Sequence, residues 1–489
     1  MGRLTSMSLR RWVLRSDTVL LAVLLVTISV PSAVSAATTI LYVDRTNTSC
    51  SNSGPATQAV PLCTIGAGAT RARAGTTVEV LNGTYNERVV PSASGTPGVP
   101  IVFDAADRSV TVTGAANGFY LSSRHDITIS NFTIAGTTGA GIYLSSCSRI
   151  VVSRNTVTTS GQPSSGSTAQ GISVHSTTAS TFIGNTAARN SDSGIYLVSS
   201  STGNVIQGNT TYANARGYTR AAAGIDVRSS GNTVVGNLSY QNEDSGVQIY
   251  NAGSGDTVVG NLVWGNGDHG IDNLSSSGTV ITSNTVYANT TSGINVEGNS
   301  SGATIMNNVS VDNALTNTFG QKGNIRVDAN SASGTTMDYD LVFLSTTGGV
   351  QFSWAGVKYQ SVAALNAATG GEGRGIQNDP KFVSSTGHDL HLVAGSPGID
   401  SANSSAPAET STDFEGRARI DDPATTNTGA GPRAFDDRGA YEFQPATSDA
   451  APAASLTVTP NSGTAPLAVT ADASASTDID ATPISTYAF

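Results

Sequence analysis

Between about Ile150 and Val327 the chain repeats itself every 22 to 30 residues, and few folds accommodate such a repeat. One half of the unit is a glycine followed by an aliphatic residue: Gly171-Ile172, Gly194-Ile195, Gly224-Ile225, Gly246-Val247, Gly270-Ile271 and Gly293-Ile294. The other half runs from apolar residues into Gly-Asn or a variant of it, as in Ile183-Gly184-Asn185, Val235-Gly236-Asn237 and Ile281-Thr282-Ser283-Asn284. A second asparagine follows five residues after each first one, at Asn190, Asn214, Asn242, Asn266, Asn289 and Asn313. Self-similarity at this period is the signature of a stacked-repeat architecture.

The unit is built from strands. Its apolar residues alternate with period two (Ile225, Val227; Val247, Ile249; Ile294, Val296), and Gly, Asn, Ser and Thr separate the short runs. A coil of two or three short strands, stacked so that equivalent strands pair in parallel, accounts for the pattern. The expected fold is therefore all-β, a parallel β-helix forming a single-stranded solenoid. Right-handedness follows from the bias of parallel crossovers. Equivalent positions form columns along the cylinder, and the paired asparagines are expected to bond to the coil above and below as structural ladders.

The ends set the compartment. Arg10, Arg11 and Arg15 precede an apolar stretch from Val19 to Val30 and a small-residue site ending at Ala36, so residues 1–36 read as a secretory signal peptide. No other segment is apolar enough to insert in a membrane, and a secreted, monomeric protein is expected. Cys50 and Cys63 bracket a short loop that an exported protein can oxidise; Cys147 is left over as a small buried hydrophobe. With a net charge of −10, nucleic acid is excluded as a partner. An acidic polysaccharide is not, provided that a cation or a local basic patch mediates the contact.

Residues 37–132 read as an N-terminal cap with entry coils, 133–330 as regular coils, 331–443 as irregular final coils and a cap, and 444–455 as a linker. The segment Gly83-Thr84-Tyr85 followed by Pro100-Ile101 resembles the opening of secreted bacterial β-helix proteins, and Asp413-Phe414-Glu415-Gly416-Arg417 with Gly439-Ala440-Tyr441-Glu442-Phe443 resembles their closing segment. Residues 456–489, beginning Leu456-Thr457-Val458-Thr459-Pro460, resemble the first strands of an immunoglobulin-like PKD module. The module would be truncated, since so few residues cannot close a seven-strand sandwich.

Two residues after each repeat glycine the side chain should point outward. That column reads Ser173, Tyr196, Asp226, Gln248, Asp272, Asn295 and Arg326; two residues before the glycine it reads Asp192, Ala222, Asp244, Asp268, Thr291 and Lys322. Acids therefore gather at Asp226, Glu243, Asp244, Asp268 and Asp272, with His269 among them, Arg228 below and Lys322 and Arg326 above. Like charges on adjacent strands repel, and a Ca²⁺ ion would compensate them. The long turn 214–220 interrupts the period just before Asp226 and adds Arg216 and Arg220 at the edge of the cluster; Tyr250 offers an aromatic face beside it.

This constellation resembles family 9 polysaccharide lyases of the pectate-lyase-like superfamily. The lone acid of that family matches Asp244, and its second acidic group matches Asp268-His269-Gly270-Ile271-Asp272, with His269 where the family has an acid. Lys322 takes the place of the family's base, although further along the chain, and Arg326 would pair with the substrate carboxylate. The resemblance implies Ca²⁺-dependent β-elimination on a uronic-acid polysaccharide. The chain is also similar to polygalacturonase-type hydrolases through Gly224-Ile225-Asp226, Glu243-Asp244, Asp268-His269-Gly270 and Asn324-Ile325-Arg326. In that reading Asp244 is the general acid and Asp226 and Glu243 activate water. Epimerisation, or glycan binding without catalysis, are the other uses such a surface would have.

Overall fold

The computed structural model describes residues 39–107, 109–161, 168–218, 221–315, 322–445 and 453–477. The expected signal peptide and Arg220 lie outside the described residues, as does the end of the segment expected to resemble a PKD module.

Three sheets of 12, 12 and 11 strands run along the molecule, parallel throughout except for the terminal hairpin of the third, where Val357–Tyr359 pairs antiparallel with Phe352–Trp354. Each coil contributes one strand to each sheet, as Thr233–Val235, Leu238–Tyr240 and Val247–Ser254 do in turn. The stacking is in register: Val234 pairs with Val258, Ser239 with Val263, and Val247 with Ile271. Strands of three residues carry one inward side chain between two outward ones, which is why the sequence shows single apolar residues flanked by Thr or Ser. Inward columns such as Ile172, Ile195, Ile225, Val247, Ile271, Ile294 and Ile325 are wholly buried. Each contributes about 1.5–3 kcal/mol of apolar burial.

Two kinds of glycine hold the corners. Gly208, Gly236 and Gly260 have φ near +60°, and an added Cβ would meet nothing within 4 Å, so they supply a left-handed turn. Gly270 sits in ordinary backbone, but a Cβ there would lie 2.3 Å from Val286 Cγ1. It permits close approach of the corner to the core.

The asparagines form two continuous ladders inside the corners. Asn237 is representative: its Nδ2 donates to Asn261 Oδ1 (3.0 Å) and to the Ile206 carbonyl (2.9 Å), while its Oδ1 accepts from the backbone N–H (2.8 Å) and Nδ2 (3.0 Å) of Asn209. One ladder runs from Asn155 to Asn308 and ends on Asp340; the other runs from Asn190 to Asn313, then to Asn324 and Gln351.

The Cys50–Cys63 disulfide forms beside a short helix, Ile65–Arg71, capped by the Thr64 hydroxyl. Cys147 is free and buried. At the other end the chain doubles back along the outside of the solenoid. His388 stacks on Trp264 with ring centroids 3.8 Å apart, Asn307 Nδ2 donates to Glu409 Oε2 (2.8 Å), and the Ala440 N–H donates to Thr285 Oγ1 (2.9 Å). Beyond it, Thr457–Thr459 and Thr470–Asp472 form a two-stranded antiparallel hairpin, and no PKD sandwich is formed among the described residues. Nor is any helix among them long and apolar enough to cross a membrane.

Candidate functional site

The turns leading from the second sheet to the third differ in length in an organised way. Those at 189–194, 241–246, 265–270 and 288–293 have six residues, whereas 159–171, 213–224 and 312–324 are about twice as long. Three consecutive short turns therefore lie between two long ones. The short turns carry Glu243, Asp244, Asp268, His269 and Thr291; the long ones carry Arg216 and Lys322. Acids thus gather on consecutive short turns, with a basic residue on the long turn to either side of them in the chain.

The third sheet follows directly on these turns, and its outward column is the one read from the sequence. Tyr196, Asp226, Gln248, Asp272, Asn295 and Arg326 pair successively in register. The column is outward yet largely covered, because long neighbouring side chains lie across it: Asp226 is 0 % exposed, Gln248 6 % and Asp272 3 %.

At its centre Asp272 accepts hydrogen bonds from Gln248 Nε2 (3.1 Å) and Asn295 Nδ2 (2.7 Å). Burial pushes its carboxyl up to about 6, against the pull of nearby His269. Gln248 Oε1 is buried without a hydrogen-bond partner. Arg326 Nη1 donates to Glu297 Oε2 (2.6 Å) and Asn295 Oδ1. One ring nitrogen of His269 and one carboxylate oxygen each from Asp272 and Glu297 lie within 4.8 Å of one another. His269 itself is buried, its Nδ1 3.0 Å from Thr291 Oγ1 and its Nε2 3.6 Å from Asp268 Oδ1.

The structure does not bring all the expected acids together. Asp226 gives both oxygens to Arg228, at 2.8 to 3.1 Å, and is a closed ion pair. Burial pushes Asp226 up to about 6, while the same contact strengthens the charge on Arg228. A guanidinium does not deprotonate in a protein, so the pair is ionic at neutral pH. Glu243 Oε2 accepts the Ala222 N–H (3.1 Å), Asp244 accepts from the Ser245 N–H and hydroxyl, and Asp268 accepts from Thr291. Burial also pushes Asp244 up. Tyr250 lies against Arg228 on its open side, and Lys322 is half-buried two coils on from Asp268. Glu297, on the coil between Asp272 and Arg326, joins the cluster although it lies outside the metal set expected from the sequence. It stands four residues after its glycine and not two, on the same outward face.

The description "right handed beta helix region" matches residues 105–254 and 216–332 of the chain. Protein YwoF of Bacillus subtilis (strain 168) is 36% identical over 132 residues, and the match spans only 28% of its length. Among solved structures, pectate lyase Pel9A superposes with a TM-score of 0.50 at 16% identity, over 84% of this chain and 98% of that one. The periplasmic alginate epimerase AlgG gives 0.40 at 16% identity, over 58% and 74%. At such identities the likeness concerns the fold alone. The chain is a right-handed parallel β-helix with a pectate-lyase-like fold, the architecture of pectate lyase Pel9A.

Proposed function

We propose that the outward face around Asp272 takes an acidic polysaccharide and removes the proton at C5 of a uronate unit, the first step of β-elimination. The observation that carries this reading is the convergence of His269, at the turn, with Asp272 and Glu297, on the outward face of the third sheet, beside Arg326. A hard cation suits the oxygen donors present: the Asp272 and Glu297 carboxylates, with the unpartnered Gln248 Oε1 beside them. These three would hold it, in place of the wider set Asp226, Glu243, Asp244, Asp268 and Asp272. Bound there, Ca²⁺ would neutralise a uronate carboxylate and so acidify the adjoining C5 proton.

The side chains then have distinct tasks. Lys322, two coils on from Asp268, takes the C5 proton in its neutral amine form. The C–H electrons form the C4=C5 double bond, and the glycosidic oxygen leaves C4 and picks up a proton from water. Arg326 holds Glu297 and Asn295 in place and offers its remaining nitrogens to the substrate carboxylate. His269 is too buried to touch a polymer and acts as a positioning residue beside Asp272 and Thr291. The hydrolytic alternative requires a free Asp226, and both oxygens of Asp226 are held by Arg228.

The test is to incubate the purified protein with uronic-acid polysaccharides in deuterated water, with Ca²⁺ or with chelator. Unsaturated chain ends, abolished by chelator and by Lys322→Ala, are expected, since the C5 proton is lost to the new double bond. Deuterium at C5 without chain cleavage would redirect the reading to epimerisation. New reducing ends with neither signal would redirect it to hydrolysis, and binding without turnover to a glycan-binding scaffold.

A further inference from the structure

Toward the N-terminus, the same outward face of the third sheet changes character. Arg88 lies over the Tyr120 ring at 3.9 Å; Tyr120 stacks on Tyr143 at 5.3 Å; Tyr143 meets His175 at 4.9 Å, and His175 meets Tyr196 at 6.1 Å. Arg228 follows, between Tyr196 (5.2 Å) and Tyr250 (4.7 Å). Tyr120, Tyr143, His175, Tyr196, Arg228 and Tyr250 stand on six consecutive strands of one sheet, a run of about 24 Å at the usual strand spacing, and Arg88 precedes them outside the sheet. The run ends beside Gln248 and Asp272. Arg88 is exposed and the rings are half-buried.

A second aromatic column, Tyr212, Tyr240 and Trp264 on the second sheet, shows what a packing stack looks like in this molecule. The chain closes it with its own C-terminal segment, His388 lying on the Trp264 ring. The third-sheet column makes its ring contacts only among its own members, among the described residues. Its side chains are nonetheless fixed: each ring is held by the next, and His175 Nε2 is 3.0 Å from the Ser173 hydroxyl. A rigid row of ring edges, phenol hydroxyls and an imidazole suits the apolar faces and hydroxyls of sugar rings and needs little ordering on binding. Arg88 stands at one end of it and Arg228 next to the other. Asp226 engages Nε and Nη2 of Arg228 and not Nη1, which is oriented by the flanking rings.

We infer that the row from Arg88 to Tyr250 is a binding track for the part of an acidic polysaccharide that extends beyond the reacting unit, with Arg88 and Arg228 taking uronate carboxylates. The inference rests on the functional reading above and adds to it a direction and an extent: the polymer runs along the cylinder axis toward the N-terminal cap. The track makes affinity depend on chain length, because only a long oligomer reaches Tyr120 and Arg88.

Titration calorimetry with a uronate trimer and a uronate decamer tests this on the full chain. The wild-type protein is expected to bind the decamer about tenfold more tightly than the trimer. Tyr120→Ala with Tyr143→Ala should remove that advantage and leave trimer affinity unchanged. Tyr143→Phe separates ring from hydroxyl, and an unchanged thermal midpoint in it guards against misfolding. Retention of the length advantage in the double variant would overturn the track. Equal affinity of the wild-type protein for both lengths would also overturn it, while leaving the functional reading at Asp272 intact. Failure of the wild-type protein to bind either oligomer would remove the functional reading and the track together.

Discussion

The asparagine ladders and the outward column of the third sheet share one geometry, a stack of side chains about 4.8 Å apart, and differ in every other respect. The ladders repeat one residue, and each amide is satisfied by the coils on either side. The outward column changes residue at every coil and leaves Gln248 Oε1 buried without a partner. A column that must hold coils together converges on one answer. A column facing a ligand has to vary, and it tolerates buried carboxyls that cost stability. The contrast assigns stability to the corners and function to the face.

The strongest way to break this contrast is Asn237→Ala. It removes the donors to Ile206 and Asn261 and strands two donors of Asn209, so a loss of about 3–5 kcal/mol is expected in denaturant unfolding. A loss below that of a surface substitution would mean the ladders are ornamental. Next comes Arg228→Met, which leaves Asp226 buried and unpaired and should cost about 3 kcal/mol, most of it recovered on adding Asp226→Asn. Asp272→Asn should run the other way. Removing a buried charge should raise stability at pH 7.5 by about 1–3 kcal/mol while weakening Ca²⁺ binding at least about tenfold. Destabilisation by that change would place Asp272 with the ladders.

A smaller effect is expected from pH. Asp226 and Asp272 are pushed up to about 6, and Asp256 to about 7, chiefly by burial. Between the ordinary carboxylate range near pH 4 and these values the folded chain binds more protons than the unfolded one, so stability falls as pH rises through that window. The thermal midpoint should be higher at pH 5 than at pH 7.5, and Ca²⁺ should narrow the difference. Asp126 and Asp389, held low by Arg149 and His391 respectively, have the opposite sign and act only at more acid pH.

The repeat was legible because two physical demands fix residue type: a corner with no room for Cβ, as at Gly270, and an amide able to bond both ways, as at Asn237. The register of the outward column was legible for the same reason, since counting from Gly224, Gly246 and Gly270 puts Asp226, Gln248 and Asp272 side by side. The electrostatic outcome was not. That Arg228 reaches back two residues to close on Asp226, or that Glu297 leans toward Asp272, depends on rotamers that no spacing encodes. Coils before Ile150 also escaped the repeat, although Gly118-Phe119 and Gly141-Ile142 occupy the same corner in the structure. The partnership of His388 with Trp264 is not periodic at all.

The doubled-back C-terminal segment changes how the molecule comes apart. In a plain solenoid each coil touches only its neighbours, and unzipping can begin at either end. Here Glu409 and Ala440 tie to Asn307 and Thr285 across gaps of 102 and 155 residues. The final coils therefore melt only when that strap has let go, and the free end is the one capped near Cys50. Under a pulling force or a protease, the N-terminal coils carrying Tyr120 and Tyr143 should be lost first, with the coils around Asp272 outlasting them.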